Sequence, residues 1–246
     1  MIASGIGLRK RLGRRLRLPT PTRRIRFSLA TAALERKARG GQLRLLDAGC
    51  SEALLAERIA LRHPDWSIDA ADIDTQALEI AARSFGIAGV ENVHLLERDL
   101  TKPLGEKIYD AVLALECLAF VPDDQAALAS MSAALKPGGL FLTHVADKHW
   151  QPVSALGRTS WPGEVKHGYT VEELTAKLEQ AGLTLVTATP TSRSLARLGT
   201  EFADRVQHTP SPLRLAWYPF AIAIGWLDRH GVSWGKATGL FVEARR

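Results

Sequence analysis

Cysteine is scarce in this chain: Cys50 and Cys117 are the only two in 246 residues. That is too few for a disulfide framework, and their spacing does not suit a structural zinc site. A reducing, cytoplasmic setting fits such usage. Long apolar runs are missing as well. Nothing approaches the roughly 18–20 residues a membrane span requires, and the uncharged stretch Ala216–Leu227 is both too short and interrupted by Pro219. The start of the chain has no apolar core of the kind a secretory signal uses. It also lacks acids: no Asp or Glu precedes Glu35, while nine Lys and Arg fall within the first 26 residues.

That asymmetry locates the net charge of +6. Beyond residue 26 the balance is 23 basic against 26 acidic residues, so the basic character belongs to a tail. A folded face built as a whole to grip nucleic acid is therefore disfavoured. Within the tail, Leu8, Leu12 and Leu16 recur at helical spacing among Arg and Lys, ahead of Pro19 and Pro21. Three readings stay open: a solvated tail, a basic amphipathic helix on an anionic membrane, or an Arg-rich targeting segment. The expected setting is cytoplasmic, with peripheral membrane contact through this tail left open.

With 46% hydrophobic residues the remainder can bury a real core. The expected organisation is a basic tail over 1–26 and a folded domain over 27–246. Within that domain lie a core over 43–190, a helical insertion at about 194–235 and a last strand at about 239–244. From Leu43 strand and helix signals alternate, as in a doubly wound α/β sheet. Strands are expected at Leu43–Asp47, Ser67–Asp72, Asn92–Glu97, Asp110–Leu115, Leu140–Val145, Leu183–Thr189 and Gly239–Ala244. Helices are expected at Ala53–Leu61, Thr75–Phe85 and Asp123–Leu135, the last capped by Asp123. Lys136-Pro137-Gly138-Gly139 reads as the turn that stops it. Thr170-Val171-Glu172-Glu173 reads as a capping box opening a further helix, which Gly182 closes.

A strand, a glycine turn, a helix and a later acid form a known binding device. The turn admits a ligand to the backbone, the helix start offers free N–H groups, and the acid takes ribose hydroxyls. Here the turn is Asp47-Ala48-Gly49-Cys50-Ser51-Glu52-Ala53, and Asp72 ends the second strand. Nicotinamide enzymes use the same device, but the frame here is not G-x-G-x-x-G. The ordered set Asp47-x-Gly49, Asp72, Asp99, Tyr109-Asp110 with Glu116, and Leu135-Lys136-Pro137-Gly138-Gly139 resembles the class I S-adenosylmethionine-dependent methyltransferases. The segment His167-Gly168-Tyr169-Thr170 through Glu173-Leu174 is similar to one common in their small-molecule, methyltransferase-11-like members. The resemblance covers residues 43–190 and, more loosely, the last strand. It implies a Rossmann-like, mostly parallel seven-stranded sheet with an antiparallel last strand, and helical extensions at both ends.

The resemblance also implies S-adenosyl-L-methionine as cofactor and assigns positions to it. Asp47, Gly49, Cys50 and Ser51 match the loop beside the methionine portion. Asp72 matches the acid that takes both ribose hydroxyls, and Ile73 flanks the adenine. Asp99 and Leu100 match the pair at the adenine edge, while Leu115 and Glu116 line the cleft towards methionine and acceptor. One departure stands out: the three alternating glycines of the family read Gly49, Ser51 and Ala53 here. Ser51 is expected instead to cap the following helix.

The implied activity is methyl transfer to a small, hydrophobic or lipid-like acceptor. Aromatic residues of the insertion, Trp217, Tyr218, Phe220 and Trp226, either pack extra helices or line an apolar pocket. His144, His149, His167 and Tyr169 are candidates for a proton acceptor; no catalytic residue is singled out among them. Cys50 and Cys117, at adjacent strand ends, read as packing residues rather than nucleophiles. No metal is expected. Alternatives are an RNA or protein methyltransferase, although strand four lacks the Pro-containing motifs of DNA enzymes, and a non-catalytic cofactor-binding module. Neither the oligomeric state nor the acceptor follows from the sequence.

Overall fold

The computed structural model describes residues 20–155, 157–206 and 211–246. The Leu8, Leu12 and Leu16 pattern and most of the basic tail lie outside these residues. The described residues divide into two compact units. The larger holds 26–150, 160–190 and 239–246; the smaller holds 20–25, 151–155, 157–159, 191–206 and 211–238.

The larger unit is built on seven strands: β1 (Arg44–Ala48), β2 (Ser67–Asp72), β3 (Val93–Glu97), β4 (Tyr109–Leu115), β5 (Leu135–Ala146), β6 (Thr184–Thr191) and β7 (Gly239–Arg245). They lie in the order β3-β2-β1-β4-β5-β7-β6. Strands β1 to β5 pair in parallel, and β7 runs antiparallel to β5. Strands β1 and β4 are buried almost throughout, which is why their middles, Leu45-Leu46 and Ala111–Leu115, read as apolar runs. Successive side chains point to opposite faces. Leu46, Val112, Phe141 and Val242 therefore share one core, with Leu128, Met131, Leu174 and Leu178 from covering helices. Their neighbours Leu45, Leu113, Leu142 and Phe241 share the other, with Leu34, Ile59 and Phe85.

Those helices are α1 (Pro21–Ala38), α2 (Leu54–Arg62), α3 (Thr75–Ala88), α4 (Asp124–Ala134) and α5 (Val171–Gln180). Asp74 caps α3 by accepting from the Gln76 and Ala77 amides. Asp123 accepts from Ala126 at the start of α4, and Thr170 accepts from Glu173 at the start of α5. The Glu173 carboxylate is engaged by Lys166 and Lys148.

Two differences from the sequence expectation matter. Residues 21–26, counted with the tail, open α1: Pro21 stands at the first helical position, and Thr20 Oγ1 accepts from the Arg23 amide at 3.4 Å. The Lys136–Gly139 segment is part of β5 rather than a turn. Leu135 pairs with Tyr109, the register then shifts, and the Gly138 amide donates to the Arg246 carbonyl at 2.9 Å. Because those amides find partners, the segment continues the strand through a bulge.

In the smaller unit, α6 (Ser194–Val206) packs on α7 (Ser211–Arg229). A Cβ at Gly199 would stand 2.9 Å from Ile224, so glycine allows the close approach. Buried Asp228 of α7 accepts from the Arg193 and Ala196 amides, both at 3.1 Å, and caps α6 from the neighbouring helix. Buried Glu201 accepts from the Val153 and Ser154 amides at 2.8 and 3.0 Å, holding 153–154 against α6. The side chains of Trp217 and Tyr218 lie outside the described set. Among the described residues no helix is long and apolar enough to cross a membrane.

Tyr169 ties the turn before α5 to the start of α4. It is fully buried, and its hydroxyl donates to Asp124 Oδ2 at 2.8 Å and lies 3.3 Å from the Leu118 carbonyl. Burial raises the Asp124 carboxyl, but Lys177 and Tyr169 outweigh it and hold the group below its usual range. Tyr169→Phe removes those hydrogen bonds and is expected to cost about 1–2 kcal/mol. Thermal unfolding should show this as a Tm lower by roughly 2–4 °C per kcal/mol; an unchanged Tm would refute the structural role.

Candidate functional site

The strand order reverses between β1 and β4, and the carboxyl ends of strands at such a point are where open α/β sheets bind ligands. Strand β1 ends in Asp47-Ala48 and passes through Gly49–Ala53 into α2. Three alternate residues of this loop hold left-handed backbone: Gly49 at φ +71°, Ser51 at +50° and Ala53 at +49°. The loop thus keeps, at Ser51 and Ala53, a conformation that glycine adopts freely and that costs other residues about 1–2 kcal/mol each. Only Gly49 is also sterically required. A Cβ there would sit 2.3 Å from the Cys117 Cβ, at the end of β4.

Neighbouring strand ends hold the loop in place. The Gly49 and Cys50 amides donate to the Ala71 carbonyl at 2.8 and 3.1 Å, and the Ser51 amide donates to Asp72 Oδ2 at 2.6 Å. Ser51 does not cap α2. The N-cap is Ala53, which has no side chain able to accept, because the chain turns left-handed again at Ala53 and enters the helix only after it. The nearby carboxylate is that of Asp47, whose charged form the Ala56 amide favours.

Asp47 is buried, 6% exposed. Burial first, and the charge of Asp72 second, push its carboxyl up to about 7. Burial, then the charges of Asp47 and Asp72, also raise both thiols, Cys117 to about 12 and Cys50 likewise upward. Protonated thiols are poor nucleophiles, so both cysteines act as packing residues here.

Asp72 is half-buried and uses both oxygens: besides Ser51, the Asp74 amide donates to Oδ1 at 3.0 Å. A carboxylate oxygen has a second lone pair to offer, so Asp72 can still accept from a ligand. Ile73 beside it is 68% exposed. Two residues past β3, Asp99 Oδ1 accepts from the Thr101 amide and hydroxyl at 2.9 and 2.8 Å, bonds that hold its carboxyl below the usual range. Leu100 is buried beneath the glycine turn, 3.7 Å from where a Gly49 Cβ would lie.

At the end of β4, Leu115 is half-buried and Glu116 takes φ +64°. Glu116 Oε1 meets His144 Nδ1 of β5 at 2.5 Å and Arg26 of α1 at 3.2 Å. A carboxylate on one ring nitrogen selects the histidine tautomer. Of the proposed proton acceptors, His144 therefore joins this strand-end cluster, paired with a residue assigned to it from sequence. The others are engaged elsewhere: Tyr169 with Asp124, His167 stacked on Trp150 at 5.1 Å, and His149 exposed beyond β5. Sequence reading missed Arg26. Its signal was the helical spacing of Arg26 with Ala30, Ala33 and Leu34, the last three buried on α1.

Carboxylates at the ends of β1 and β2, with a third just past β3, suit a ligand rich in hydroxyl, amine and cationic groups. An acid-lined turn suits a pyrophosphate poorly. The donor set therefore fits S-adenosylmethionine, with its ribose, adenine amine, ammonium and sulfonium. Among the described residues no group of His, Cys, Asp or Glu is placed to hold a metal ion.

Residues 46–141 match a family model described as a methyltransferase domain. The ubiquinone biosynthesis O-methyltransferase of Dinoroseobacter shibae is 32% identical over 151 residues, covering 57% of this chain and 60% of that protein. The malonyl-acyl-carrier-protein O-methyltransferase of Halalkalibacterium halodurans is 29% identical over 102 residues, covering 40% of this chain and 37% of that one. The chain spans less than two thirds of either relative's length. Among solved structures, the cyclase SpnF superposes with a TM-score of 0.64 at 23% identity, over 88% of this chain and 79% of SpnF, a likeness of fold. By fold and by the family model over its central segment alike, the chain is similar to the class I S-adenosylmethionine-dependent methyltransferases.

Proposed function

We propose that this chain transfers a methyl group from S-adenosylmethionine to a small, hydrophobic or lipid-like acceptor. The observation that carries the reading is the left-handed loop over Gly49, Ser51 and Ala53, locked to Asp72 and bordered by buried Asp47. Asp72 would hold the ribose hydroxyls, Ile73 the adenine face, and Asp99 the adenine amine with Leu100 packed beneath. Asp47, Gly49, Cys50 and Ser51 would border the methionine portion, and Leu115 and Glu116 the approach to the acceptor.

When bound, the cofactor supplies an electrophilic methyl group. The protein's own work is to orient the reactants and shape the field around them. A cationic ligand is favoured beside Asp47 and Asp72, whose mutual repulsion it relieves. His144 and Arg26 hold Glu116 at a fixed position at the end of β4. A proton acceptor is needed only for acceptors that keep their proton at neutral pH. Support for an oxygen acceptor comes from the two O-methyltransferase relatives. Support for an apolar one comes from the ubiquinone-pathway relative and from the aromatic C-terminal segment.

Calorimetric titration of S-adenosylmethionine and S-adenosylhomocysteine tests the reading. Micromolar binding is expected, weakened roughly 10- to 100-fold by Asp72→Ala, as for loss of charge-assisted hydrogen bonds. Folded protein that binds neither compound would overturn the proposal. Incubation with labelled cofactor and hydrophobic phenols or carboxylic acids then tests turnover.

The raised carboxyl of Asp47 sets the pH dependence. Its folded value lies above its unfolded one, so its favourable contribution to stability is present at acid pH and is lost as pH rises towards about 7. A cationic ligand prefers the charged form, so binding releases a proton. Cofactor affinity is expected to fall as pH drops below about 7, by at most about tenfold per pH unit for one linked proton. Asp47→Asn should flatten that slope. Equal affinity at pH 5.5 and 8 (roughly one unit either side of neutrality) would refute the linkage.

A further inference from the structure

Two properties of the smaller unit point to the same kind of partner. The first is charge. Its described segments, 20–25, 151–155, 157–159, 191–206 and 211–238, carry nine Lys and Arg against three acids, Glu201, Asp204 and Asp228. Two of those acids, Glu201 and Asp228, are buried; both accept from backbone amides, and Glu201 also pairs with Arg197 at 3.3 Å. The larger unit has the opposite balance, 17 basic against 23 acidic residues. Six more Lys and Arg, and no acid, precede residue 20 in the sequence.

The second property is an apolar face on α7. Residues 215–227 contain no charged side chain. One side of the helix is used inside the unit: Ile224 meets Gly199, and Gly225 and Asp228 are buried. At helical spacing the other side presents Ile222, 37% exposed, and Trp226, 58% exposed; Phe220, one turn before Ile224, is 61% exposed. Trp226 stacks on His230 at 4.3 Å. In the turn that follows, Trp234 is 59% exposed.

We propose that this face of α7 docks on an anionic lipid surface. Exposed aromatic and branched side chains on an uncharged helix face suit the headgroup–acyl boundary, where tryptophan concentrates. The excess of Lys and Arg in the sequence of the unit suits acidic headgroups, to which basic residues are attracted. Helix α7 is long enough but not apolar enough to cross a bilayer, so the contact proposed is at the surface. RNA would satisfy the charge and leave the apolar face in water. A second copy would cover the apolar face while bringing two cationic units together. The lipid surface alone meets both properties. Docking makes no use of the cofactor, so it stands or falls separately from methyl transfer.

Co-sedimentation of the full chain with vesicles of phosphatidylcholine, alone or mixed with phosphatidylglycerol, is the test. Binding to the mixed vesicles is expected, with little to phosphatidylcholine alone and a marked loss at high salt. Trp226→Asp should lower partitioning at least about tenfold, as should Ile222→Asp, which guards against a fault peculiar to one variant. Both side chains face solvent, so the unfolding temperature and cofactor titration should stay as in the parent. The proposal is overturned if the full chain stays in solution with anionic vesicles, or if both substitutions leave binding unchanged. It is equally overturned if RNA is bound tightly at the same salt while vesicles are ignored. A dimer that Trp226→Asp dissociates, without vesicle binding, would also overturn it.

Discussion

Between β1 and α2 the chain must turn while passing within contact distance of Cys117 at the end of β4. That approach leaves room for no side chain at Gly49, and it puts the loop where the Ala71 carbonyl and the Asp72 carboxylate can receive its amides. Most of the rest of the site depends on this constraint. The left-handed residues Ser51 and Ala53 are tolerated because both ends of the loop are fixed, the condition under which strained backbone persists. Asp47 is buried because the loop closes over it, and its proton affinity rises in consequence. Both thiols are silenced by the same burial and the same two carboxylates.

Much of the sheet was legible in the sequence because parallel strands covered on both faces read as apolar runs with polar ends. Strand β2 was read to the residue, and β1, β3, β4 and α4 to within a residue or so. Helix α1 was expected only as an N-terminal helical extension, without bounds, and its first residues were counted with the tail. Its inward face is built largely from alanine, Ala30 and Ala33 beside Leu34, and its first turns carry Arg23, Arg24 and Arg26, so composition pointed to a tail. Lys136–Gly139 was misread because turn-forming residues also suit a strand bulge when partners are available on both sides.

At the site, sequence supplied the acids and the glycine but not their conformations. Nothing in the letters Ser51 and Ala53 announces left-handed backbone, and so the helix cap was placed two residues early. The contact of Glu116 with His144 and Arg26 joins three elements far apart in the chain. Register between β4 and β5, where Leu115 stands beside His144, is what brings that pair together. No local pattern encodes such a register.

The order of the last three strands bears on how the chain assembles during synthesis. Strand β6 is made before β7, yet β7 lies between it and β5. Until residues 192–238 have emerged and Gly239–Arg245 follows, β6 has no neighbour in the sheet, and β5 presents an open edge. At translation rates of 5–20 residues per second, that interval lasts roughly 2–10 s. During it the nascent chain exposes the edge of β5 with which Gly239–Arg245 will later pair. The smaller unit, made within the same interval, has its capping and packing partners, Asp228 and Gly199 among them, before the sheet is closed.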